Sequence, residues 1–525
     1  MINKLKRASN DDPVNPWIIA LVVSIATFME VLDTTITNVS LSHIAGTLSA
    51  TQEESTWILT SYLVSNGIVL PLSGWLSDVM GRKKFFLTCI AGFTLASFAC
   101  GAANSMAVLV FFRLIQGLAG GGLQPTQQAI ILDAFPPQKR GMVFGVTGIT
   151  LIVAPILGPT LGGWITDNYS WRWIFFINIP VGAITFLLVS QLVKDSEHSH
   201  AKKTGSVDYI GLGLIALGLG AMQVVLDKGQ LDDWFESNFI VITFSISLIS
   251  ICLAIIWLLK QKNPIIDLRL MTDKAFGLGS ILIFITGFVL YSSSMLLPLL
   301  VQTQFGYDAT LAGLVLSPGG LLLLFLMPIS GKLVSKVQAR YLIAFGLLLC
   351  ATGTYMTSFV TPQTNYRTFV FMRSLQVLGL PFLFIPTSAL AFMNIQGAKN
   401  NKASALFSLS RNLGGSIGIA TIASYVTRHQ QIHQSYISVH LSNFNETYRS
   451  KLSQITQSMI QHGMGKIEAA KTATGQLYHE MLSQASVLAY MDAFRLMAGM
   501  MIFAIIITAL LPANKPNAKK AVAAH

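Results

Sequence analysis

Gly74-Trp75-Leu76-Ser77-Asp78-Val79-Met80-Gly81-Arg82-Lys83-Lys84 joins two apolar runs, one beginning near Ser55 and the other near Phe85. Gly81 permits a tight turn. Asp78 is placed to accept from a neighbouring helix N-terminus or a basic group. Arg82 and Lys83 put cations at the edge of the second run. Two apolar segments joined by a short cationic turn predict two membrane-crossing helices with their connection on the cytoplasmic side.

Outward from this turn the pattern repeats. Apolar runs of about 20 residues, the length that crosses a bilayer as a helix, recur from Trp17 to Pro512. Of the 525 residues, 52% are hydrophobic and 11% charged, against about 25% charged in soluble domains. A soluble fold is excluded. Fourteen spans are expected, starting near Trp17, Ser55, Phe85, Met106, Met142, Trp171, Asp208, Asn238, Ala275, Ala309, Tyr341, Tyr366, Ala403 and Met491. The seventh and eighth are the least sharply bounded. The first span carries Glu30 and Asp33 and runs past the length of a signal-peptide core, so it is expected to be retained.

The net charge of +12 does not point to nucleic acid, because the basic residues fall in alternate short loops. Lys4, Lys6 and Arg7, then Arg82 to Lys84, Lys139 and Arg140, Lys194, Lys202 and Lys203, and finally Lys515, Lys519 and Lys520 mark one side. The loops between are poor in Lys and Arg. The positive-inside rule places both termini in the cytoplasm of a multi-pass inner-membrane protein. Cys89, Cys100, Cys252 and Cys350 lie in or beside apolar runs, without metal or disulfide spacing.

The chain repeats itself. Phe112-Arg113 and Gln116 match Met372-Arg373 and Gln376; Pro125-Thr126 matches Pro386-Thr387; Gly74 and Leu76 match Gly331 and Leu333. The offset is about 260 residues. Two six-span halves, 1–192 and 275–525, are therefore expected to flank two inserted spans in 193–274. Transporters built from repeats place the substrate site between the halves near the midplane. The stretch 428–490 is a long outer loop in which Leu452, Ile455 and Met459, and again Leu477 and Met481, recur at helical spacing. It is read as helices outside the membrane, either extending the flanking spans and lying on lipid or forming a docking surface.

Two further motifs join the turn. The fifth span reads Ala154-Pro155-Ile156-Leu157-Gly158-Pro159-Thr160-Leu161-Gly162-Gly163. Its prolines remove backbone donors and bend a helix, and its glycines admit a close partner. The first span reads Leu32-Asp33-Thr34-Thr35-Ile36-Thr37-Asn38-Val39. On these residues the chain resembles the major facilitator superfamily, and within it the fourteen-span drug/proton antiporters of the EmrB type, over nearly its whole length. The Gly74–Lys84 turn resembles the family's signature loop, which latches the halves in the outward-open state; Val79 stands where a basic residue is common. Residues Pro155 to Gly163 are similar to the antiporter motif. In the first-span signature, Ser40 and Ser42 replace Ala and Pro. The resemblance implies an all-α exporter of amphipathic compounds, driven by protons without a cofactor. It also implies a periplasmic adaptor and an outer-membrane channel as partners.

Ionisable groups within spans are costly and mark function. Asp33 and Arg113 each sit roughly 10 Å below the outer surface, counting about 1.5 Å per residue from their span ends, so they can meet. Glu30 lies one turn deeper on nearly the same face. Asp33 is expected to carry the proton, with Arg113 tuning it and Glu30 assisting; a static ion pair is the plainer reading. In the second half Arg373 repeats Arg113, but the position matching Asp33 falls near Tyr291 with no acid nearby, and Arg411 has no partner in the sequence. Gln116, Gln124, Gln127, Gln128 and Asn178 are candidates for polar contacts in the cavity, with Arg373 and Arg411 as candidates for acidic substrates.

No metal site is expected. His429 and His433 have i, i+4 spacing, but the motif lacks the glutamate of a zinc protease, and the histidines ending at His200 lie in the linker. No strand followed by a phosphate-cradling loop is present, which argues against ATP-driven transport or an enzyme. Two alternatives stay open at this point. One is an uptake symporter of the same fold; the other is a scaffold or receptor, which has no need of a buried Asp33 and Arg113.

Overall fold

The computed structural model describes residues 15–193, 208–261, 264–361, 363–395, 399–442 and 444–513. The basic residues expected at the two termini and in the linker (Lys194, Lys202, Lys203) lie outside them. Every regular element among the described residues is helical. The first half holds α1 (Pro16–Val39), the short α2 (Leu41–Thr47), α3 (Gln52–Met80), α4 (Arg82–Gly101), α5 (Met106–Gly120), α6 (Leu123–Ala134), α7 (Pro137–Asn168), the one-turn α8 (Trp173–Phe176) and α9 (Asn178–Leu192). Next come α10 (Tyr209–Lys228) and α11 (Asn238–Lys260). The second half holds α12 (Lys274–Phe305), α13 (Ala309–Val334), α14 (Ala339–Met356), α15 (Tyr366–Leu378), α16 (Leu380–Ala391), α17 (Asn400–Ser438), α18 (Glu446–Gln461) and α19 (Lys466–Ala509).

Local chemistry sets the boundaries. Thr51 and Glu54 form a reciprocal capping box at the start of α3, which satisfies two orphan donors of the first turn. Asp273 and Asp308 cap α12 and α13 in the same sense, each accepting from a backbone N–H. Gly81, at φ 86°, is the single residue between α3 and α4, so the quoted turn is as tight as its glycine predicts.

Ten helical segments among the described residues are long and apolar enough to cross a membrane, or eleven if the bent α13 is one span. They make this a multi-pass membrane protein. α3, α7 and α17 coincide with the expected second, fifth and thirteenth spans but fall outside that test. For α17 the reason is visible: it buries Asn400, Asn401, Ser404, Ser408 and Arg411, polar groups spent on contacts inside the protein.

α1 packs on α7, and α12 packs on α17; the halves meet where α3 faces α17 and α7 faces α13. α10 pairs with α11 and leans on α3. These two inserted helices are the least covered, with 28% and 22% of their apolar windows buried, which fits a lipid-facing edge. Beyond the bundle, α17 runs on to Ser438 and α19 begins at Lys466, so the segment expected to be an outer loop is built largely by extending two spans, with α18 as a separate helix packed on α19. Leu477 and Met481 are buried in that packing; no residue of α18 is.

Candidate substrate and proton site

α1 and α5 bring Asp33 and Arg113 together as expected. Arg113 Nη1 donates to Asp33 Oδ2 at 2.6 Å, and both side chains are inaccessible to solvent. The carboxylate also accepts from Gln116 Nε2 at 3.1 Å and Asn178 Nδ2 at 2.7 Å. The guanidinium is itself held: Nε donates to Ile58 O at 3.1 Å and Nη1 to Gln116 Oε1 at 2.9 Å, and it lies 4.4 Å from the Tyr62 ring centre. Gln116 and Asn178, proposed from sequence as cavity contacts, instead complete this buried network. Their amides give Asp33 two neutral donors beside the arginine.

Glu30 has different company. It accepts from Tyr62 Oη at 3.3 Å, Asn66 Nδ2 at 3.2 Å and Gln124 Nε2 at 2.7 Å. Gln124 also accepts from Arg411 Nη2 through its Oε1. Arg411, unpartnered in the sequence, is therefore tied to Glu30 through one glutamine that spans the two halves. Tyr62, Asn66 and this bridge were not legible beforehand, because no periodicity tells which helix of one half faces which of the other.

A cavity of about 40 Å³ lies beside the bridge, lined in part by Gln124, Gln128, Phe384, Phe407 and Arg411. That room suits a few waters, whereas a drug-sized ligand needs several hundred Å³. A substrate of that size therefore enters only if the halves part. Gln128 reaches Ser408 of the other half at 3.5 Å. Arg373 does not line this cavity. It donates to Ser293 Oγ at 3.0 Å, Gln376 Oε1 at 2.8 Å and Ser294 Oγ at 2.7 Å. The position matching Asp33 is thus Ser293, two residues past Tyr291.

The quoted turn reaches across the halves. Asp78 Oδ1 accepts from Asn401 Nδ2 at 2.5 Å, at the start of α17. A Cβ on Gly74 would stand 3.1 Å from Asn401 O, so glycine keeps α3 and α17 in contact there. Arg82 is buried and paired with Asp133, which accepts from Asn400 Nδ2 through its other oxygen at 3.0 Å. Lys83 donates to Ser190 O at 2.8 Å within its own half.

The Gly-rich stretch of α7 lies against the first-span motif. A Cβ on Gly158 would fall 2.0 Å from Thr35 Oγ1, and one on Gly162 would fall 3.0 Å from Ile36 O. Gly163 lies buried in the same helix, while the side chains of Pro155 and Pro159 lie outside the described residues. The close approach sits next to Asp33 in sequence, so the packing of α7 bears on where that carboxylate stands. Ser40 Oγ meets Thr166 Oγ1 at 2.7 Å at the end of α1; the Ser42 side chain lies outside the described residues.

Known proteins share this architecture. The Major Facilitator Superfamily pattern matches residues 23–419. The fold superposes on the proton:xylose symporter XylE with a TM-score of 0.61 at 13% identity, covering 95% of this chain and 97% of that one. It also superposes on the human organic anion transporter MFSD10 with a TM-score of 0.60 at 12% identity, covering 94% and 99%. At those identities the likeness is one of fold. The chain belongs to the major facilitator superfamily, a family of transporters and not of enzymes. It is 34% identical to the multidrug export protein EmrB of Escherichia coli K12 over 92% of each chain. It is 33% identical to the fatty acid resistance protein FarB of Neisseria gonorrhoeae over 95% of this chain and 96% of that one. Within the superfamily it sits with the EmrB-type proteins.

Proposed function

We propose that the protein exports small hydrophobic or amphipathic compounds across the cell inner membrane in exchange for protons, by alternating access through fourteen spans with both termini in the cytoplasm. The observation that carries this reading is the fully buried Asp33–Arg113 pair. A proton and the Arg113 guanidinium compete for Asp33 Oδ2. When a proton arrives from outside, Arg113 retains Ile58 O and Gln116, and Asp33 retains Asn178. Exchange at this pair needs no other group to leave the site. Glu30, with neutral donors only, is the assisting carboxyl, and the Gln124 bridge relays its state to Arg411 and the cavity. The turn at Gly81 latches the cytoplasmic side through Asp78 and Asn401. Gln124, Gln128 and Arg411 contact substrate once the halves part, while Gln116 and Arg373 act from behind the cavity wall. Two buried arginines, Arg373 and Arg411, favour weakly acidic compounds.

The membrane potential alone supplies roughly 2.3 kcal/mol per charge per 100 mV, so no cofactor is required. The Gly158–Gly162 packing against α1 favours export over uptake by a symporter of the same fold. The outer arm carries exposed Tyr436, Val439, Phe444 and Ile467. On the likeness to EmrB-type proteins we assign this arm to contact with a periplasmic adaptor that leads to an outer-membrane channel.

Acid-loaded proteoliposomes test the central claim. Adding a transported compound is expected to release protons from the lumen with wild-type protein and not with Asp33→Asn at equal incorporation. Release that persists in the variant removes Asp33 from the proton path. Uptake of the compound together with protons replaces export by symport.

A further inference from the structure

In the sequence His429 and His433 stand one helical turn apart, with no third ligand beside them. The structure supplies one from another helix. Asp492 of α19 faces both rings of α17: its Oδ2 lies 3.2 Å from His429 Nδ1 and 2.7 Å from His433 Nε2. All three ligand atoms fall within 4.8 Å of one another. We propose that His429, His433 and Asp492 form a binding site for a divalent transition-metal ion, of the zinc class, at the base of the outer arm.

Geometry and chemistry both favour this. Ligand bonds of about 2.0–2.1 Å around zinc place neighbouring donors about 3.3 Å apart in a tetrahedron. The separations to Asp492 already approach that value, and the two ring nitrogens lie within 4.8 Å of each other. Two imidazoles and one carboxylate suit zinc, nickel or copper over magnesium or calcium. The side chains are 28%, 23% and 20% exposed, open to an ion yet held by packing. The His429 ring is stacked on Tyr425 with centres 3.9 Å apart. Arg495 Nη1 takes Asp492 Oδ1 at 2.9 Å, which orients the carboxylate and leaves Oδ2 to the ion. Arg495 also brings a positive charge, which sets an upper limit on affinity. The bound ion would clasp α17 to α19 where both leave the bundle.

Untagged full-length protein in detergent, stripped with a chelator and dialysed against micromolar ZnCl₂, tests this. Wild type is expected to hold about one zinc per chain more than His429→Gln/His433→Gln, whose glutamines keep hydrogen bonds to Asp492. Asp492→Asn is expected to weaken zinc binding at least about tenfold. Zinc is also expected to raise the unfolding temperature of wild type and not of the double variant; this second readout stands if one histidine variant folds poorly. Equal zinc in wild type and the double variant, or no zinc-dependent shift in wild type, overturns the proposal.

Discussion

Arg113 and Arg373 hold matching places in the two halves, and each donates through Nη1 to the glutamine three residues on, at 2.9 and 2.8 Å. Their other partners differ. Arg113 faces the carboxylate of Asp33 at 2.6 Å, and Arg373 faces the hydroxyl of Ser293 at 3.0 Å. The scaffold has been kept and the acid exchanged for an alcohol. A serine hydroxyl does not take up and release a proton near neutral pH, so in the scheme we propose the first half holds the exchanging pair and the second a fixed cation. The lesson is that repeated architecture leaves each copy free to specialise at a single side chain.

Four experiments press on this contrast. The largest difference is expected in transport: Asp33→Asn abolishes substrate-driven proton release, while Ser293→Ala leaves it. Loss in both variants would make the halves equal partners. Next comes stability. Arg113→Ala strands a buried carboxylate and is expected to cost about 3–5 kcal/mol. Arg373→Ala removes hydrogen bonds of a charged group to neutral partners, and is expected to cost closer to about 1.5–3 kcal/mol. Thermal unfolding in detergent reads both, and equal shifts would break the comparison.

A third test concerns what the halves share. Gly158 packs α7 on α1, and Gly414 packs α17 on α12, where a Cβ would fall 2.2 Å from Phe284 O. Alanine at either site is expected to cost about 1–3 kcal/mol from overpacking. Gly414→Ala should be the worse of the two, because a backbone oxygen yields less readily than the Thr35 hydroxyl; the reverse order would show that α12 adjusts more freely than α1. The smallest effect is expected from Ser40→Ala, which loses one hydroxyl contact to Thr166 worth about 1 kcal/mol. A larger loss would show that the end of α1 is pinned chiefly there.

Much of this was legible because a membrane restricts the options. Apolar length located the helices, and a costly charge inside a span located Asp33, Glu30 and Arg113. Depth counting even paired Asp33 with Arg113. Three other features were hidden. The tie between Gln124 and Arg411 joins residues 287 apart, and the Asp78–Asn401 contact joins residues 323 apart. Such pairs depend on how helices cross, which spacing along the chain does not encode. Asp492 was overlooked for the same reason: beside His429 and His433 it makes a three-ligand group, yet it lies 59 residues beyond His433. Span thirteen blurs for a related cause: α17 lines the contact between halves and buries Asn401, Ser408 and Arg411 there, so it looks less like a membrane helix than one that faces lipid.

α17 is a single helix of 39 residues. At 1.5 Å per residue it is a rod of about 58 Å, with Asn401 near one tip, Arg411 a third of the way along and His433 near the other. A rod conveys motion without a wire. Pivoted near its middle, a tilt of about 10°, small for a rocking domain, sweeps each tip through roughly 5 Å. The tip at Asn401 then clears Asp78 while the tip beyond His433 swings by a similar amount in the opposite direction. If the halves rock as proposed, the arm is a pointer on a dial, its angle set by which way the transporter is open.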